Sequence, residues 1–317
     1  MKSPARFPLR VAVAIPTYNR DAVLVDTIES VLAQAYRPDE ILVIDQSASH
    51  DAATAAYLTQ KSSDGTIRYL HQVPPNLPGA RNRALQETTA DVVIYIDDDV
   101  VLAENFVSSH LRNYASDRKV VAVAGRVKQR FAWTQRKRPS MWNRMLDYRY
   151  FNLDSDSRCE GIANFLGCNH SVGVEAARGV GGYDSNFQGV ALREETDMAL
   201  RLYQAGHKIV YDPLAELLHL AAPSGGCRPD NVFDTSAGEA LLYFAVKHRS
   251  TLGYHVLWDF YHAFRIFVLN RADLKRPDAL LFKLARFLYF SGSLILERTS
   301  GGRKARSRLE RRRDLLL

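Results

Sequence analysis

Short apolar runs and helical stretches alternate through the first hundred residues of this chain. RVAVAIP (Arg10–Pro16), EILVIDQS, TIRYLHQV and DVVIYIDDD are short and β-branched-rich, and proline or polar residues stop them. That is the pattern of buried strands. Between them, residues Asp21 to Ala35 place Val23, Val25, Ile28, Val31 and Leu32 apolar at helical spacing. Asp51 to Lys61 reads as a second helix, and PGARNRALQETT as a third, opened by Pro78 and Gly79. Strand and helix alternating at this spacing predict an α/β layer fold, with a mostly parallel central sheet flanked by helices. Such a sheet binds ligands at the carboxyl ends of its strands. Three segments fall at those ends and are expected to converge: Pro16–Arg20, Asp45–Ser47 and Asp97–Asp99.

Further on, a helix is expected near Ala103–Tyr114, a strand in KVVAVAGRVKQRFAW, a helix over Thr196–Ala205 ending at Gly206, and a last strand in HKIVYDP stopped by Pro213. The segment Thr134–Gly161 is polar and has no readable pattern. From about Ala237 the character changes to long helical periodicity rich in aromatics, followed by the basic run GGRKARSRLERRRDLLL. Over 317 residues the formal net charge is +7, which suggests anionic company. Basic helices carrying Trp, Tyr and Phe suit an anionic membrane surface and equally an ordinary helical packing layer. No nucleic-acid recognition motif is present, so nucleic acid is not expected as a partner.

Three cysteines, Cys159, Cys168 and Cys227, match no zinc spacing and read as reduced thiols. VAVAI is too short for a signal peptide, and no apolar stretch reaches spanning length without a charge. The expected place is the cytoplasm, at most peripheral to the inner face of the membrane. A GxGxxG after a strand, a Walker A sequence and a GxSxG elbow are all absent.

YIDDDV puts three aspartates directly behind an apolar run. Carboxylates at alternate positions, Asp97 and Asp99, can share one hard cation, and a cation can clamp a diphosphate leaving group. The same triplet also fits an acidic loop after a strand. Six segments in order decide between them: IPTYNR, VIDQSASHD, NLPGARNRAL, YIDDDV, GCNHSVGVEAARGVGGYD and REETDMALRLYQAGHKIVYDP. Over roughly the first two thirds the chain resembles the inverting family 2 glycosyltransferases, which have the GT-A fold.

The resemblance implies a nucleotide-sugar donor, a UDP-sugar first among them, and a divalent metal ion, Mn²⁺ or Mg²⁺. The acceptor would be a hydroxyl of a saccharide or lipid-linked molecule. Pro16, Thr17, Tyr18 and Asn19 match the loop that holds the base, and Arg20 follows it toward the phosphates. Asp45 matches the acid that contacts base or ribose, and Arg81 the segment that approaches the nucleotide. Asp97 and Asp99 match the DxD pair: Asp99 as the direct metal ligand, Asp97 nearer the ribose and also in the metal set, with Asp98 between them in the donor site. His219 matches a third metal ligand. Asn169 lies in a segment matching the acceptor-side loop, with Glu194 and Asp197 also assigned to the acceptor. The catalytic base falls on Glu195, where the family commonly has aspartate.

Each residue also has a plain structural reading. Asp45 suits a helix cap, Arg81 a solvated helix face, and acids in a helix's first turn favour its dipole without any catalysis. The organisation expected is a catalytic domain over 1–222, with a nucleotide-binding half to about 125 and an acceptor-binding half from about 126. A helical region with a basic tail would follow over 223–317. The rival readings are a nucleotidyltransferase on a related fold and a catalytically silent sugar- or lipid-binding adaptor.

Overall fold

The computed structural model describes residues 7–129, 154–227, 234–252 and 276–299, with a few positions between 260 and 268. Most of Thr134–Gly161 and the basic run after residue 300 lie outside them. The first strand, β1 (Val11–Thr17), is buried at every position, as a strand covered on both faces must be. β2 (Glu40–Asp45) and β4 (Val92–Ile96) flank it in parallel, and β3 (Arg68–His71) pairs with β2, again parallel. Three helices connect them: α1 (Ala22–Leu32), α2 (Ala52–Ser63) and α3 (Leu77–Glu87). Asn76 caps α3 by accepting from the Gly79 N–H at 2.6 Å, ahead of the proline in the first turn.

Side chains on the two faces of β1 enter different clusters, as the period of two requires. Val11, Val13 and Ile15 pack with Leu24, Ile28 and Val31 of α1 and with Phe106 and Leu111 of α4 (Phe106–Ser116). Ala12 and Ala14 belong with Ala80, Ala84 and Leu85 of α3 on the other face. The small alanines let α3 sit close to the sheet.

Beyond β4 the sheet becomes mixed. The full order is β3-β2-β1-β4-β8-β6-β9-β5, with β5 (Val100–Leu102), β6 (Val120–Gln129), β8 (Asn169–Gly173) and β9 (Lys208–His219), while β7 (Cys159–Glu160) pairs with β9. β8 runs antiparallel to both β4 and β6. The helices α5 (Val174–Gly179) and α6 (Glu194–Gln204) follow β8, and Met198, Ala199 and Leu202 of α6 join the α3 face.

Two expectations are corrected, and one strand is added. GCNHSV is not an acceptor-side loop: NHSVG is the buried strand β8. Its polarity is absorbed internally, with Asn169 and Ser171 bonding His110 at 3.1 and 2.9 Å. Pro213 does not stop β9, which runs on to His219. The register against β6 jumps between Gly125 and Arg126, and that irregularity accommodates the proline. The residues just after Asp99 form β5, which pairs antiparallel with the last turn of β9 and carries Val100 opposite His219.

The chain divides into two compact units, Met1–Asn186 with Glu194–Cys227, and Phe187–Arg193 with Arg228–Leu317. In the second unit, α7 (Ser236–Lys247) is followed by the short α8 (Arg249–Leu252), and it buries Leu241, Leu242 and Val246 against Phe287 and Phe290 of α9 (Pro277–Thr299). No described helix is long and apolar enough to cross a membrane.

Candidate active site

The strand order reverses at β1, whose neighbours are β2 on one side and β4 on the other, so the loops after β1 and β4 meet. The Thr17 hydroxyl donates to Asp98 Oδ2 at 2.7 Å, and Arg20 Nε donates to Asp98 Oδ1 at 3.1 Å. Arg20 Nη2 reaches Asp99 Oδ2 at 3.2 Å, and its Nη1 donates to the Ser224 carbonyl. All four side chains are buried. Arg20 is therefore turned onto the aspartates. Asp98, whose part in the donor site had no stated chemistry, is the anchor that joins the two loops. Burial pushes its carboxyl up to about 7, against Arg20 and Thr17, which pull it down.

Pro16 is buried within β1, Tyr18 is half-buried, and Asn19 is exposed in the left-handed region at φ 52 with its N–H on Ser47 Oγ at 2.8 Å. The stretch after β9 lies over this loop. Gly226 N–H donates to the Tyr18 carbonyl at 2.8 Å, and Ala222 N–H donates to Asp99 Oδ2 at 2.8 Å. Gly225, at φ 76, passes so near the Asn19 carbonyl that a Cβ there would collide with it.

Asp97, Asp99 and His219 each bring one ligand atom into a group whose atoms lie within 4.8 Å of one another. His219 Nε2 is 3.1 Å from Asp99 Oδ1 and 3.8 Å from Asp97 Oδ2. The other ring nitrogen, Nδ1, faces the Gln129 amide oxygen at 3.2 Å, an acceptor, so it carries the proton there. Nε2 then turns its lone pair toward two carboxylates. Acceptors gathered in this way call for a cation, or for a second proton on the ring. Two carboxylate oxygens and one imidazole nitrogen suit Mn²⁺ or Mg²⁺, so the residues fit the ion. Desolvation raises Asp97 above the usual carboxylate range, with Arg81 and His219 opposing and Asp99 adding to it. Desolvation would also raise Asp99, but His219 when doubly protonated, the Ala222 N–H and the charge of Arg20 hold it below that range.

At the end of β2, Asp45 is 1% exposed and already engaged. Its oxygens accept from Ser47 N–H at 2.9 Å, from the Tyr69 hydroxyl and from His50 Nε2 at 2.8 Å. It buttresses the loop after β1 through Ser47 and caps no helix; Asp51 caps α2, accepting from Thr54 N–H at 2.7 Å. Burial opposes its charge, but Tyr69, Ser47 and His50 outweigh it and lower its pKa.

The three acids of the first turn of α6 part company. Asp197 is fully buried and grips Arg201, four residues on, at 2.8 and 2.9 Å. Glu194 is buried against Arg81, whose guanidinium fits over Gly167 and stands 5.7 Å from the Tyr183 ring. Glu195 alone among them is half-exposed. Arg81 is thus neither solvated nor open to a nucleotide, and its charge acts on Asp97 and pairs with Glu194. Asn169 is fully buried, its amide donating to the Arg126 and Ala215 carbonyls at 2.8 and 2.9 Å, which leaves no side-chain donor for an acceptor sugar.

The sequence model of Glycosyl transferase family 2 matches residues 12–177, more than half of the 317. The chain belongs to that family. This glycosyltransferase is 25% identical over 292 residues to the O-antigen chain rhamnosyltransferase RfbN of Salmonella typhimurium, covering 88% of each chain. It is 25% identical over 223 residues to the glucosyl-dolichyl phosphate glucuronosyltransferase of Haloferax volcanii, covering 67% of this chain and 69% of that one. Among solved structures, the mannosyltransferase PcManGT of Pyrobaculum calidifontis, in complex with GDP-Man and Mn²⁺, superposes with a TM-score of 0.56 at 18% identity, over 98% of this chain and 81% of that one. The fold is GT-A. The family match stops before α6 and His219.

Proposed function

We propose that this glycosyltransferase moves a sugar from a nucleoside-diphosphate donor to a hydroxyl of a saccharide or lipid-linked acceptor, with inversion and with a divalent cation. The observation that carries the reading is the convergence of Asp97, Asp99 and His219 at the end of β4 and β9. A donor-bound solved relative of the same fold holds Mn²⁺ and GDP-Man, and two relatives by sequence are named as glycosyltransferases in glycan synthesis. A UDP-sugar is the first donor to test, with GDP- and dTDP-sugars beside it.

A bound Mn²⁺ or Mg²⁺ would be held by Asp99, His219 and Asp97 and would neutralise charge on the departing diphosphate. Arg20 pairs with Asp99 and aims it, and Asp98 fixes Arg20. Glu195, the one partly exposed acid of the first turn of α6, takes the proton of the acceptor hydroxyl as its oxygen attacks the anomeric carbon. The bond from that carbon to the diphosphate oxygen breaks on the opposite face, so a single displacement inverts the configuration. Glu194 holds the helix start in place through Arg81.

Calorimetric titration of UDP, GDP and dTDP with and without Mn²⁺ tests the cation role. Wild-type protein is expected to bind one of them in a Mn²⁺-dependent way, and Asp99→Asn to lose that dependence. Equal affinity in the variant would remove Asp99 from the cation site.

A further inference from the structure

His219 ends β9 between two neighbouring strands. Against β5 it stands opposite Val100, the residue after Asp99, and against β6 it stands opposite Gln129. Residues at one register position of a parallel pair point to the same face of the sheet. There the half-buried Gln129 brings its amide oxygen to the His219 ring, 3.2 Å from Nδ1. This register is not the one in which the two strands set out. From Ala122 to Gly125, β6 runs in step with Ile209 to Asp212 of β9. Continued in step, Gln129, four positions past Gly125, would face Glu216, four past Asp212. Instead Arg126 faces Glu216 and Gln129 faces His219, because Pro213, Leu214 and Ala215 are looped out of the pairing.

The loop-out is pinned from β8. The Asn169 amide nitrogen donates to the Arg126 carbonyl at 2.8 Å and to the Ala215 carbonyl at 2.9 Å, bridging the two strands at the jump, and His110 holds the amide oxygen at 3.1 Å. Gly125 leaves the space for this bridge, since a Cβ there would strike both the Ala215 carbonyl and the Asn169 amide. A buried asparagine and a glycine thus set the register that puts Gln129 beside His219. The placement has a chemical consequence. A neutral imidazole offers a lone pair from one nitrogen only when the proton sits on the other. Asp99 Oδ1 at 3.1 Å and Asp97 Oδ2 at 3.8 Å would by themselves draw that proton onto Nε2, the atom that must be bare to bind a cation. The Gln129 oxygen is the acceptor on the opposite side of the ring.

We propose that Gln129 is a positioning residue for His219. Its amide oxygen holds the ring proton on Nδ1 and fixes the ring plane, so that Nε2 is presented to a divalent cation together with Asp97 and Asp99. This role rests on the cation reading of the proposed function and extends it to a side chain outside the cluster.

Titration of the full chain with Mn²⁺, the free ion read by electron paramagnetic resonance, tests the role without turnover. The wild type is expected to bind Mn²⁺. Gln129→Met, which keeps the length of the side chain and removes the acceptor, should bind it at least about tenfold more weakly with an unchanged thermal melt. Gln129→Glu restores an acceptor and should return the affinity to within about threefold of the wild type. In a His219→Ala background, where only the aspartates remain, Gln129→Met should change the affinity by less than about twofold. Equal affinity of Gln129→Met and the wild type would overturn the role and leave the cation reading standing. So would a loss in Gln129→Met that persists undiminished without His219, since Gln129 would then act on the fold and not on the ring. A wild type that binds no Mn²⁺, with or without a nucleoside diphosphate, would remove the cation reading and the role with it.

Discussion

Arg81 and Glu194 meet as an ion pair inside the catalytic unit, their side chains 2 and 1% exposed, joining α3 to the first turn of α6. A pair so thoroughly removed from water fixes geometry more than it stabilises, because desolvation offsets most of the attraction. It ties together two segments far apart in sequence. Through it the position of Glu195, one residue along, depends on a helix that also borders β4 and the aspartates.

Breaking one side of the pair leaves the other charge buried alone. Glu194→Ala is expected to lower the free energy of unfolding by about 3 kcal/mol or more. The double change Arg81→Met with Glu194→Leu should cost clearly less than the sum of the two single changes, as read by urea titration. Additive losses would mean that the two side chains are not coupled.

Asp98 and Asp99 are neighbours with different work. Asp98 holds Thr17 and Arg20, and Asp99 faces His219. Asp98→Asn should destabilise the fold by about 2 kcal/mol, leaving a buried arginine short of a charged partner. It should weaken Mn²⁺ binding only about tenfold, through Arg20. Asp99→Asn should abolish Mn²⁺ binding with a smaller change in stability. A reversal of the two phenotypes in calorimetry and thermal melts would exchange the roles.

His50 links Asp45 at 2.8 Å to Asp21 at 3.1 Å, behind the loop after β1. Burial lowers its pKa, but Asp45 and then Asp21 outweigh this and raise it above 6.5. A raised histidine stabilises the fold fully below its unfolded value near 6.5 and loses that contribution as pH rises through the folded value. Asp45 is shifted down, so its own contribution is present above 3.8 and lost as pH falls through its lowered value. The stability gap between wild type and His50→Gln should therefore be widest between these two limits and shrink as pH rises through the raised value of His50. Urea titrations across that range measure it, and a gap that widens with pH would contradict the pairing.

Period-two and helical patterning made the first hundred residues legible, because β1, β2 and β4 are nearly continuous apolar runs and each connecting helix shows its own spacing or cap. The convergence of the loops after β1 and β4 follows from that alone. β8 was hidden because Asn169, His170 and Ser171 look like a loop until His110, Leu166 and Tyr183 are seen to satisfy them. β9 was cut short because a proline normally ends a central strand, and only the register jump opposite Gly125 and Arg126 lets it continue.

At the site, residue types pointed to Asp97, Asp99 and His219, which the structure gathers into one group. What sequence could not give was direction. Arg20 turns inward to Asp98, Asp45 is taken up by Tyr69, and Arg81 goes to Glu194, each decided by a partner between 24 and 113 positions away.

The account rests most heavily on Glu195 as the base. The direct test is release of free nucleoside diphosphate from a panel of UDP-, GDP- and dTDP-sugars with Mn²⁺ and saccharide acceptors, with donor affinity measured in parallel. Wild-type protein is predicted to turn over at least one donor. Glu195→Gln is predicted to bind that donor with unchanged affinity and to release diphosphate at least about a thousandfold more slowly. Turnover by Glu195→Gln at near the wild-type rate, or Mn²⁺-dependent donor binding by the wild type with no turnover of any donor, would contradict it.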